Sequence, residues 1–170
     1  MAASIAEIKR VFLTRLDVLS HLLDVGEKHF GDLNPLLSER LAPDMFPLGA
    51  QIVVVCNMPR GFAQWCAGQP IENIPSELDS IATGRKHIAE TRALVEAIAV
   101  PDAKLDETKR IGLGPSRYCE LPGHRYVADY LMPNLYFHLA TTYDILRHKG
   151  APLGKPDFLA FLAPHVRTEG

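Results

Sequence analysis

No run of 18 apolar residues occurs anywhere in this chain of 170, and a helix that crosses a bilayer needs roughly 17–25 of them. The catalytic signatures that can be read from short motifs are missing as well. There is no phosphate-binding P-loop, no GxGxxG dinucleotide turn, no HExxH zinc pair and no GxSxG nucleophile elbow. Charge of one sign is lacking: 18 Lys and Arg stand against 20 Asp and Glu, a net −2. That balance argues against the basic footprint of a nucleic-acid binder. Cysteine is scarce. Cys56, Cys66 and Cys119 have no metal-ligand spacing. The first two are separated by about 15 Å of helical rise on one predicted helix, too far to bridge. An odd count without a pairing pattern suits a reducing compartment. No basic segment followed by an apolar stretch opens the chain. The expectation is a soluble cytoplasmic protein, with no membrane and no nucleic-acid partner.

What is present is helical periodicity. Ile5, Ile8, Phe12, Leu16, Leu19, Leu22 and Leu23 recur at three- and four-residue steps and predict a helix from about 5 to 28, ended by Gly31 and Asn34-Pro35. A second helix is predicted from Pro43-Asp44 to Gly68, with Asp44 as N-cap or first-turn residue and Pro59 as a kink. Its run from Ile52 to Cys56 is apolar all round, the mark of a buried helix. Ser76 is expected to cap a third helix, which Pro101 stops. Glycines and Pro115 break residues 102–123 into an irregular excursion or short β-hairpin. A fourth helix is predicted from about His124 to His148, kinked at Pro133, with Arg147, His148 and Lys149 matching its negative end and Gly150 following as C′. One more short helix is expected around Phe158 to Leu162. The whole chain, 1–170, reads as one all-α domain, a four-helix bundle with a small β excursion before the last long helix.

Bundles build sites from side chains that face inward from neighbouring helices. Asn134 and His138 are four apart and share a helix face. Thr142 continues that stripe, and Gln51 lies among the core positions of the second helix. If those helices are neighbours, Gln51, Asn134 and His138 converge. The competing reading is a core histidine satisfied by hydrogen bonds. Tyr143 reads as a packed aromatic whose hydroxyl finds a partner. The remaining histidines show no ligand spacing and read as surface groups. Cys56 has no activating base nearby in sequence.

The blocks RLAPDMFPLGAQ and MPNLYFHLATTYDILRHKGAPLGKPDF resemble a bacterial domain-of-unknown-function family of the DinB/YfiT-like superfamily, over nearly the whole chain. The resemblance implies an up-down-down-up four-helix bundle, usually a homodimer. It also points to a superfamily containing metal-dependent enzymes, some of them thiol transferases. Metal-binding members take one His from helix two and two from helix four, upstream of a Leu-Arg pair. Aligned on Leu146-Arg147, those positions fall on Gln51, Asn134 and His138 here, so one histidine of three is kept. One imidazole and two amides make a weak site for Zn²⁺ or Ni²⁺. Three readings follow. The first is a degenerate metal position forming a small polar pocket lined by Gln51, Asn134, His138 and Tyr143, for a small polar molecule. The second is an enzyme with a divalent metal at His138. The third is a structural dimer in which the polar groups satisfy one another.

Overall fold

The computed structural model describes residues 3–167. Helix α1 spans Ile5–Phe30. Ser4 caps it by accepting from the Glu7 N–H at 3.1 Å, and Gly31 ends it at φ +78°, a conformation that favours glycine. Helix α2 spans Leu48–Cys66, α3 Ile81–Glu96. Strands β1 (Thr108–Gly112) and β2 (Tyr118–Pro122) form an antiparallel hairpin in which Ile111 pairs with Cys119. A helical rod follows without a break. It comprises a single turn α4 (Gly123–Arg125), a π-helix (Tyr126–Leu131) and α5 (Met132–His148). The chain then forms the short α6 (Lys155–Phe158) and a 3₁₀ segment.

Contacts fix the direction of each rod. Asp17 meets Arg92 while Asp24 and Glu27 meet Arg85, so α1 and α3 are antiparallel. Gln51 meets His138 while Gly61 approaches Tyr126, so α2 and the final rod are antiparallel. Arg15 donates to the Tyr136 hydroxyl at 2.9 Å and Gly26 lies beside Leu146, so α1 and α5 run parallel. Gly84 lies beside Ile52 and Thr91 beside Cys56, so α2 and α3 are parallel as well. The arrangement is up-down-down-up. Phe12, Leu16, Leu19, Ile52, Phe62 and Leu135 are all fully buried at its centre.

Two predicted helix starts are displaced. Helix α2 begins at Leu48, not at Asp44, which lies exposed in a turn closed by the Met45 N–H on the Ala42 carbonyl. Pro47 decides this, because the residue before a proline is pushed out of the helical region. Helix α3 begins after Ser80, whose hydroxyl accepts from the Thr83 N–H at 3.1 Å; Ser76 does not cap it. Residues 71–74 are instead tied to α2. Asn57 brackets Ile74 with two hydrogen bonds, donating to its carbonyl and accepting from its N–H, and Gln64 accepts from the Glu72 N–H. That held strap puts Leu78 against Gly49 and Gly84, where an added Cβ on either glycine would come within 3.1 Å of Leu78.

Pro133 sits in the first turn of α5, and the change of helical register lies before it, in the π-helix. Cys56 and Cys66 share α2 and are free and buried. Burial pushes the Cys56 thiol up to about 12 and the Cys66 thiol up to about 11, so neither is a thiolate at neutral pH. Native-state alkylation near pH 8 is therefore expected to modify the half-buried Cys119 first, with Cys56 reacting only after denaturation. Peptide mass mapping checks the order.

Candidate functional site

The site is built from the start of α2 and the middle of α5. Gln51 is 1 % exposed and lies in the first turn of α2. Its amide nitrogen donates to the Phe46 carbonyl at 2.9 Å, and its amide oxygen lies 2.6 Å from His138 Nδ1. A carbonyl only accepts, so the Phe46 contact fixes which way the amide faces. The oxygen is thus turned to His138, and Nδ1 must carry the proton. That leaves Nε2 as the unprotonated nitrogen of a neutral ring.

Two phenylalanines frame the imidazole. Phe46 stacks beside it with centroids 6.2 Å apart and planes 21° apart, and Phe137 meets it edge-on at 5.1 Å. Both phenyl rings are more than half exposed, Phe46 at 53 % and Phe137 at 58 %. His138 itself is half-buried. Behind it, Thr142 donates to the His138 carbonyl at 2.9 Å. The arrangement sets two exposed phenyl rings against an imidazole whose tautomer is fixed. A hollow of about 610 Å³ opens on the other flank of Phe46, between Asn34, Gly49 and Leu78, and neither Gln51 nor His138 lines it.

Gln51 and His138 are thus brought into contact, as expected. Asn134 turns its amide back on its own rod and donates to the Tyr130 carbonyl at 2.6 Å. Tyr143 is placed elsewhere: it lies edge-on to Phe158 at 6.1 Å, beneath the C-terminal segment. His21 is not a simple surface group, since its Nε2 pairs with Asp157 at 2.8 Å. Sequence reasoning missed the Phe46 carbonyl, because a main-chain acceptor carries no residue signature. Phe137 was legible as an aromatic next to the histidine, but a one-residue offset on a helix gives no sign that the two rings touch.

The residues present do not fit a tightly held divalent metal. Gln51 and His138 bond to each other rather than aim at a common point. The Gln51 oxygen is occupied by the Nδ1 proton, and Asn134 offers only an amide. Among the described residues no three His, Cys, Asp or Glu side chains gather as a ligand group.

Burial holds the His138 imidazole below its ordinary 6.5. A lowered value means that the unfolded chain takes up the proton first. The stabilisation is present above the unfolded value and is lost as pH falls through the folded one. Wild-type stability is expected to drop more steeply than that of His138→Leu as pH falls below the ordinary histidine value of 6.5. NMR titration of the ring should give a midpoint below 6.5.

A family model described as Domain of unknown function (DUF1993) matches residues 6–159. A crystal structure of a DinB family member protein from Shewanella denitrificans matches with a TM-score of 0.69 and 27 % sequence identity. The match covers 92 % of this chain and 89 % of that one. No curated protein matches. Among the described residues, no helix is long and apolar enough to cross a membrane. The fold is DinB-like, and the chain belongs to the DUF1993 family of domains of unknown function.

Proposed function

We propose that this protein is a small-molecule binding bundle in which His138 is the recognition group. The ligand is a small polar molecule with an N–H or O–H donor and a flat body. Its donor meets the Nε2 lone pair, and its body lies against Phe46 and Phe137. One observation carries this reading. Gln51 is locked between the Phe46 carbonyl and His138 Nδ1, so the tautomer and the orientation of the ring are set before any ligand arrives. Preorganisation of this kind lowers the cost of binding. Among the described residues the hydrogen-bond partner of the His138 ring is the Gln51 amide, not an acid or a base, and one imidazole alone does not assemble a catalytic set, so the reading stops at binding.

Phenol and anisole make a direct test, because they share the ring and differ in the hydroxyl proton. Phenol is expected to perturb the His138 ring signals saturably and anisole not, and His138→Ala should remove the response. Equal responses to the two, or a response unchanged in His138→Ala, would overturn the reading. Elemental analysis of protein purified without an affinity tag should find substoichiometric Zn and Ni. A full equivalent of either would restore the enzyme alternative.

A second reading is favoured by the two exposed phenyl rings: a second copy of the chain covers them in a homodimer. Sedimentation equilibrium of wild type and Phe137→Lys decides it. A dimer that the substitution dissociates supports it, and a wild-type monomer removes it.

A further inference from the structure

A different cavity, six to ten residues further along α2 than Gln51 and so about 9–15 Å away by helical rise, carries an independent inference. Its volume is about 340 Å³, and α2, β1, the strap around Ile71 and the π-helix enclose it. That size suits a small organic molecule. No acidic side chain lines it. Lys109 does, from the inward face of β1 that also carries the buried Ile111. Arg110 also borders the cavity; its guanidinium lies over the Tyr118 ring at 3.6 Å, and its partner across the hairpin is Glu120. Among the described residues, Lys109 forms no ion pair closer than 4.0 Å. Burial pulls its ammonium below the ordinary lysine value. An ammonium without a counter-charge at the wall of a cavity is a ready hydrogen-bond donor to an anion.

The rest of the wall fits a flat body. Tyr126 and Tyr130 stack at 5.9 Å with planes 19° apart. They are four apart in the π-helix, a rare form frequently found at functional sites. Tyr126 is 3 % exposed, and its hydroxyl lies near the open space above Gly61. A Cβ on Gly61 would stand 3.8 Å from that oxygen and 3.5 Å from Ile71. Both are ordinary contacts, so the glycine is not forced by crowding; it leaves room. Met58 and Leu131 add apolar surface. Asn57 also lines the cavity, but both ends of its amide are spent on Ile74, and it serves to hold the strap in place.

We propose that this cavity binds a small aromatic or otherwise planar carboxylate, its charge at Lys109, one oxygen at the Tyr126 hydroxyl and its body beside Tyr130 and Ile71. Benzoate is the probe, with benzamide as its uncharged counterpart. Backbone NMR signals of residues 109–112 and 126–131 should shift saturably with benzoate, in the millimolar range expected of a fragment, roughly 1 mM. Benzamide should bind at least about tenfold more weakly. Lys109→Met should weaken benzoate to the benzamide level. Gly61→Val should block it, and where the β-branched side chain upsets α2, Gly61→Ala serves instead, since alanine favours the helix. His138→Ala should leave benzoate binding unchanged, which separates this site from the one proposed at His138. No saturable shift, undiminished binding in Lys109→Met, dependence on His138, or inorganic phosphate binding as well as benzoate would each overturn the assignment.

Discussion

Gly123→Val is expected to cost about 3 kcal/mol or more in folding stability, the upper range for overpacking a tight contact. An added Cβ at this position would overlap the Trp65 ring and lie 2.9 Å from both the Cα and the carbonyl oxygen of Leu105. Two of those atoms are backbone, so no rotamer change relieves them. The Gly123 N–H also donates to the Glu107 carbonyl at 2.9 Å, which fixes the entry to the final rod. In a chain of this size each 1 kcal/mol moves the melting temperature by about 2–4 °C. A drop of about 6–12 °C follows from the same scaling. Gly123→Ala should fall part of the way. Trp65 fluorescence is the natural probe, since the ring also meets Tyr126 edge-on at 5.6 Å. An unchanged melting temperature for the valine variant would show that the hairpin and α4 can separate from α2 at no cost.

Gln51→Leu should give the next largest loss, about 1–3 kcal/mol, the usual consequence of leaving buried partners unsatisfied. Leucine keeps the volume but abandons both the Phe46 carbonyl and the His138 Nδ1 proton. The imidazole is then free to change tautomer, and the turn before α2 loses its tie. His138→Leu orphans only the Gln51 oxygen and should cost less. The double variant should cost less than the sum of the single ones, by about 0.5–3 kcal/mol, as residues in one network do. Chemical denaturation of the four proteins measures this. Strict additivity would mean that the 2.6 Å contact stores no energy, and the preorganisation argued for His138 would go with it.

The α5 stripe shows how far local pattern reaches. Asn134, His138 and Thr142 share a face because four residues make slightly more than one turn, and that was legible from spacing. Whether a polar side chain on that face looks outward, inward or back along its own rod is not encoded in spacing. Thr142 bonds to the His138 carbonyl and Asn134 to that of Tyr130; only His138 reaches across to α2. Tyr143, one position on from Thr142, is rotated by about 100° and lands under Phe158. The Lys109 cavity left no trace at all in the sequence reading. Its walls come from α2, a strap, a strand and a π-helix, drawn from four separate stretches between residues 57 and 131.

Apolar periodicity, prolines and glycines by themselves determined the four long helices, a break between the third and fourth that the structure shows to be a hairpin, and the glycine stops after α1 and α5. These features follow from local sterics and from which face must leave water. Pro47 sets the start of α2 locally, but tertiary structure decided where α3 begins. At Ser76 a good capping residue lost to Ser80, because Asn57 and Gln64 hold the preceding strap extended. It also decided that one histidine meets one glutamine, since a contact across 87 residues depends on how rods pack, and packing sums many weak interactions that no short window of sequence contains.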